Sequence, residues 1–261
     1  MKKLKNQISK IFLFSFLFIF SQNSFANSSR NLTVFAEQNM VPALVKISGI
    51  FSRQNNVIIS VNFNSSLESV NDVDMGEPAD VFISAHYTLI ETLKQKGLVD
   101  VYNVSYIARD QLKLVTSKNN PHINAKLLSK GLNLKEALIT LDTDKATIIL
   151  DQEYGASGLY SDNLISSLLL TELKLFKKLR EDKAAIFDII QGAPENYALL
   201  LASQIKNKKD LLVLASSKEN NIFYQALVIA GDNMEISREF LKFLKSNEAK
   251  NILRNSGFIV D

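Results

Sequence analysis

The chain has 261 residues, with 30 Lys+Arg against 27 Asp+Glu and no cysteine. The missing thiols exclude a disulfide-stapled fold, a thiolate zinc site and cysteine nucleophile chemistry. A formal charge of +3 is too small and too balanced for a nucleic-acid partner, while 46% hydrophobic with 22% charged residues describes a globular chain with a core.

The first predicted element is a targeting segment over residues 1–26. It has four lysines and no acid in its first ten positions, an apolar run from Ile11 to Phe20, and then Ser24-Phe25-Ala26. A basic start, a short apolar stretch and a small-x-small site describe a secretory signal peptide, cleaved after Ala26. The apolar run is about half the length of a membrane-crossing helix; the competing reading is an uncleaved N-terminal anchor. Cleavage leaves 26 basic against 27 acidic residues, a net charge of −1, so the apparent basic character belongs to the leader. Without cysteine no lipid can be attached to the new N-terminus, and the expected product is soluble in the periplasm.

Leu32–Ala36 reads as a strand, with Asn39 at the N-cap of a helix carrying Val41, Leu44, Ile47 and Phe51 on one face. Val57–Phe63 is the next strand, ending at Asn64-Ser65-Ser66, and Asp80–Ser84 is a third after the turn Gly76–Ala79. Helical spacing returns in Leu89, Ile90, Leu93 and Leu98. Strands follow at Leu112–Thr116 and Ala146–Leu150, and Gly155-Ala-Ser-Gly158 opens a helix through Leu164 and Leu168. The spacing predicts a further helix after Pro194, strands at Leu211–Leu214 and Phe223–Ile229, and amphipathic helices at Ile236–Leu244 and Glu248–Leu253. Alternating strands and helices imply parallel sheets with crossover helices. With no flexible linker between two such blocks, the expectation is two lobes joined by crossing strands.

Ligands of open parallel sheets bind outside the carboxyl ends of the strands, where helix N-termini point. Three such places stand out: Asn39, Ser65-Ser66, and Gly155-Ala156-Ser157-Gly158. They offer hydroxyls, an amide and backbone N–H groups, with no lysine, arginine or histidine. Neutral donors at helix starts suit a fully ionised oxyanion.

Leu32-Thr-Val-Phe-Ala36 with a polar residue opening a helix, Phe63-Asn-Ser-Ser66, Gly76-Glu-Pro-Ala-Asp-Val-Phe-Ile-Ser-Ala85, Asp151 with Ser157-Gly158-Leu-Tyr160, and the closing Ser256-Gly257-Phe258 resemble the periplasmic molybdate-binding proteins of ABC transporters. The resemblance implies a two-lobed α/β periplasmic-binding-protein fold, each lobe a mixed, mostly parallel sheet flanked by helices. It implies capture of molybdate or tungstate in the interlobe cleft, no cofactor, no catalysis, and hinge closure that presents the complex to a membrane permease. Residues 27–108 and 224–261 would form lobe one and 109–223 lobe two, in a monomer. The family's ligand positions fall on Asn39, Ser66, Ser157, and Glu195 or Asn196. Its fifth donor, a tyrosine hydroxyl, falls on Ala215, with Ser216 or Ser217 as partial replacements. Asn39 in place of serine, a glutamate at the fourth position and the missing tyrosine favour one rival, the same fold holding another small anion; a second rival is a sensor that keeps the fold but does not transport.

Other constellations are read as structural. His86 and His122 are expected at the surface, and Asp142, Asp144 and Asp151 as turn and cap residues. Tyr154, Tyr160, Tyr197 and Tyr224 include no adjacent pair of the kind a ferric site would use. The lysine runs 174–178 and 206–209 read as solvated faces.

Overall fold

The computed structural model describes residues 30–128, 131–141, 147–152, 155–167, 177–181, 183–217 and 222–261. The segment 1–26, Asp142, Asp144 and Tyr154 lie outside these residues. Asn31–Asp261 form one compact unit containing two five-stranded sheets flanked by helices.

The first sheet starts from β1 (Arg30–Glu37) and α1 (Val41–Asn55), joined by a 3-10 turn over Gln38–Met40. It continues through β2 (Val57–Asn64), α2 (Ser66–Asp74), β3 (Val81–Ser84), α3 (Tyr87–Gln95) and β4 (Val99–Asp110). The chain then passes through the single residue Gln111 into β5 (Leu112–Ser117) of the second sheet. That sheet adds α4 (Leu134–Thr140), β6 (Thr147–Asp151), α5 (Ala156–Ser167), β7 (Lys177–Glu181), α6 (Lys183–Gly192), β8 (Tyr197–Leu201), the one-turn α7 (Ala202–Ile205) and β9 (Leu211–Ser216). The chain returns as β10 (Ile222–Ile229), followed by α8 (Met234–Leu244) and α9 (Asn247–Asn255).

The strand orders are β2-β1-β3-β10-β4 and β7-β6-β8-β5-β9. β1 runs parallel to β3, and β6 parallel to both β7 and β8, whereas β10 is antiparallel to β3 and β4, and β5 antiparallel to β8 and β9. The antiparallel share exceeds what the crossover pattern implies, because the strands that pass between sheets enter from the opposite end.

The central strands β3 and β8 are buried on both faces, as sheets covered by helices require. Successive side chains of β1 divide between two clusters: Leu32, Val34 and Ala36 enter one and Phe35 the other. The larger cluster continues without a break into Leu112 and Leu114 of β5, Ile148 and Leu150 of β6, and Leu199 and Leu201 of β8. Phe51 of α1 meets Phe240 of α8 edge-on at 5.2 Å over this core, an arrangement worth about 1 kcal/mol beyond the area it buries.

Several expectations are corrected. Residues after Pro194 form strand β8, not a helix: Tyr197–Leu201 is buried at every position, and an all-apolar run that short fits a central strand. Asn39 caps no helix; α1 starts two residues later, after Met40, and has no side-chain cap. Part of the 174–178 lysine run is edge strand, since Lys177–Glu181 pairs in parallel with β6. His86 is buried at 8% exposure, its backbone N–H donating to Ser84 Oγ at 2.8 Å, whereas His122 is exposed.

Candidate functional site: a cleft at four strand ends

A cavity of about 290 Å³ opens where the carboxyl ends of β1, β2, β6 and β8 converge. Its first wall is Glu37, Gln38, Asn39, Asn64, Ser65 and Glu68; its second includes Asp151, Gln152, Gly155, Ala156, Ser157 and Gln204. Among the described residues no lysine, arginine or histidine lines it, and three carboxylates do.

On the first wall, Ser65 caps α2 through a capping box with Glu68. Ser66, 1% exposed, donates from Oγ to Glu37 Oε1 at 2.7 Å. Ser84 Oγ donates to the same oxygen at 2.6 Å, and the Ala85 N–H at 2.9 Å. The two hydroxyls stand 2.8 Å apart. Glu37, 6% exposed, is therefore a buried carboxylate held by three donors, the arrangement that offsets the cost of burying a charge.

On the second wall, Gly158 lets the first turn of α5 press onto the end of β6; a Cβ there would lie 2.0 Å from the carbonyl oxygen of Gln152. That contact sets Ser157, 3% exposed, against the cavity, and its Oγ has no partner among the described residues. Asp151 Oδ2 accepts from Gln204 Nε2 at 2.8 Å, while Gln204 Oε1 accepts the Leu201 N–H at 2.7 Å.

Asn39 spans the two walls. Its Nδ2 donates to Ser203 Oγ of α7 at 2.9 Å and to the Tyr224 hydroxyl of β10 at 2.5 Å. Behind Ser203 lies Asp110, whose carboxylate accepts the N–H groups of Gln111 at 2.8 Å and of Ser203 at 3.3 Å. Burial pushes the Asp110 carboxyl up to about 6, against the opposing effect of these donors. Burial also holds the Tyr224 phenol well above its usual range, with Glu37 and Asp110 adding to the effect and the Asn39 bond opposing it. Tyr160 of α5, edge-on to Tyr87 of α3 at 6.2 Å, is pushed up to about 12 by burial, then by Tyr87 and Glu37.

Residues 32–259 match the model of the family described as bacterial extracellular solute-binding protein. The chain belongs to that family. This solute-binding protein is 26% identical over 246 residues to the molybdate-binding protein ModA of Haemophilus influenzae, covering 90% of this chain and 92% of that one. Its fold matches the substrate-binding domain of a putative molybdenum ABC transporter from Clostridium difficile, with TM-score 0.70 and 22% identity over 89% of this chain and all of that one. It also matches a tungstate ABC transporter structure from Geobacter sulfurreducens, with TM-score 0.68 and 16% identity over 86% of this chain and 97% of that one.

In this solute-binding protein Asn39 and Ser157 line the cleft, and Ser66 lies directly behind it, bonded to Glu37. Glu195 does not join them. It sits in the turn before β8, at the opposite end of that strand from Leu201, where its carbonyl faces the Asn120 amide at 3.5 Å. The helix expected after Pro194 is a strand whose far end meets the cleft; the helix start on the cleft side is that of α7, with Gln204 in the cleft. Ala215 is buried in β9 opposite Leu114, and the Tyr224 hydroxyl, which does not line the cavity, accepts from Asn39. Glu37, Ser84 and Gln204 join the site without a sequence motif that marks them as site residues. The signal for Glu37 is a charged residue ending a buried apolar strand, where a carboxylate stays only with dedicated donors.

Proposed function

We propose that this protein is the periplasmic solute receptor of an ABC transporter and captures molybdate or tungstate in the cleft, without catalysis. The observation that carries this reading is the buried, unpartnered hydroxyl of Ser157 at the start of α5, a residue that lines a cavity at four strand ends. A helix start with a spare neutral donor favours an oxyanion through the helix dipole and free N–H groups. Asn39, Ser157 and Gln204 are the side chains that would surround it, with Ser66 behind them on Glu37. Whole-length similarity to a molybdate-binding relative supports the same ligand class.

Residues 27–108 with 224–261 would move as one lobe against 109–223, the closed form docking on a membrane permease. Residues 1–26 would direct export and be removed after Ala26, leaving a monomer. Calorimetric titration of residues 27–261 with molybdate, tungstate, sulfate and phosphate tests the reading. One site with heat for molybdate or tungstate is expected, and no heat with any of the four overturns it. A second reading, a different small anion in the same cleft, is favoured by the three carboxylates lining it, and heat with phosphate or sulfate alone would select it.

A further inference from the structure

Glu37 sits where this cleft's donors converge. Its Oε1 accepts from Ser66 Oγ at 2.7 Å, Ser84 Oγ at 2.6 Å and the Ala85 N–H at 2.9 Å, so these three donors already serve a negatively charged oxygen supplied by the chain. Glu68 and Asp151 line the same cavity, and among the described residues no cationic side chain does. Across from Glu37, Ser157 Oγ is buried and unpartnered among the described residues.

We propose that Glu37 is the specificity-determining residue of the cleft: its carboxylate acts as an internal anion on the first wall, so the residue selects among oxyanions by their charge. The proposal rests on the oxyanion reading of the site. A tetrahedral ligand is gripped chiefly by the second wall, from the start of α5, while Glu37 stands beside it. Repulsion between two charges scales with their product and is strengthened where water is excluded. A dianion therefore loses twice as much as a monoanion of the same shape. Full use of Ser66, Ser84 and Ala85 by the ligand requires the carboxylate to leave its three donors. A neutral amide at position 37 keeps an acceptor oxygen for those donors and removes the charge alone.

Molybdate and perrhenate provide the test, being tetrahedral oxyanions of similar size with charges of −2 and −1. Their affinities are measured by calorimetry for the wild-type chain, Glu37→Gln and Glu37→Ala. We expect Glu37→Gln to tighten molybdate by about tenfold and perrhenate by about threefold, raising the ratio of the two affinities. Glu37→Ala should move the ratio in the same direction. A ratio unmoved by both substitutions overturns the proposal and leaves the oxyanion reading standing. Should neither variant fold, the wild-type ratio decides: a molybdate preference below about tenfold supports the proposal and a larger one overturns it. Absence of binding of either anion to any of the three chains overturns the oxyanion reading and this proposal with it.

Discussion

Ser66 and Ser157 hold corresponding places, each within the first two residues of a helix that follows a strand end, with exposures of 1% and 3%. Their surroundings differ. Ser66 is bound into the Glu37–Ser84–Ala85 group, whereas the Ser157 hydroxyl has no partner among the described residues. The same local geometry thus serves stability on one wall and leaves bonding capacity for a ligand on the other. A buried hydroxyl at a helix start is not by itself a binding group; what its hydrogen bonds already do decides its role.

The sharpest way to break the second wall is Gly158→Ala, which forces a Cβ to within 2.0 Å of the Gln152 carbonyl oxygen. Backbone cannot yield as a flexible side chain can, so a loss of about 3 kcal/mol is expected, with a fall in melting temperature of roughly 6–12 °C by scanning calorimetry.

Next in size is a change belonging to neither wall. The Asp110 carboxyl, at the crossing between sheets, is raised from 3.8 to about 6 by burial. The folded state then holds the extra proton between those values, so this group's contribution is greatest below about 4 and is lost as pH rises through about 6, a difference on the order of 2–3 kcal/mol. Urea unfolding across this range should show that slope, and Asp110→Asn should flatten it.

The remaining three substitutions sharpen the comparison directly. Ser66→Ala or Ser84→Ala takes a donor from a buried carboxylate and should cost about 2 kcal/mol in urea unfolding. Ser157→Ala should leave the stability of the free protein within about 0.5 kcal/mol while weakening the bound anion at least tenfold. If Ser157→Ala destabilises the free protein as much as Ser66→Ala, the two walls do not differ in the way their hydrogen bonds indicate.

The strands β1, β2, β3, β6 and β10 are legible in sequence because their apolar runs are bounded by polar turns; β3 is buried throughout, while β2 alternates buried or half-buried with exposed positions such as Ile58. β4 is not, since Val99–Asp110 mixes exposed Tyr102 and Tyr106 with buried Ile107 and Ala108 and shows no single period. β7 reads Lys-Lys-Leu-Arg-Glu and is a strand through its pairing with β6, which no local signal announces. β8 is misread because five buried apolar residues after a proline satisfy helical and extended patterns alike. Within the site, Asn39 and Ser157 are visible as polar residues at strand ends. The pairing of Glu37 with Ser84 spans 47 positions and depends on β1 lying beside β3.

The place of β10 bears on how the chain comes to be folded at all. β10 lies between β3 and β4 and bonds to both, although it is made more than a hundred residues after either. A chain emerging N-terminus first presents β1 to β4 as an incomplete sheet with two unpaired edges, and the gap closes only when Ile222–Ile229 arrives. The second sheet, drawn from one uninterrupted stretch between β5 and β9, is complete earlier. Assembly therefore runs against the order of synthesis, and a chain halted before residue 222 would expose β3 and β4 as strand edges prone to pairing with other chains.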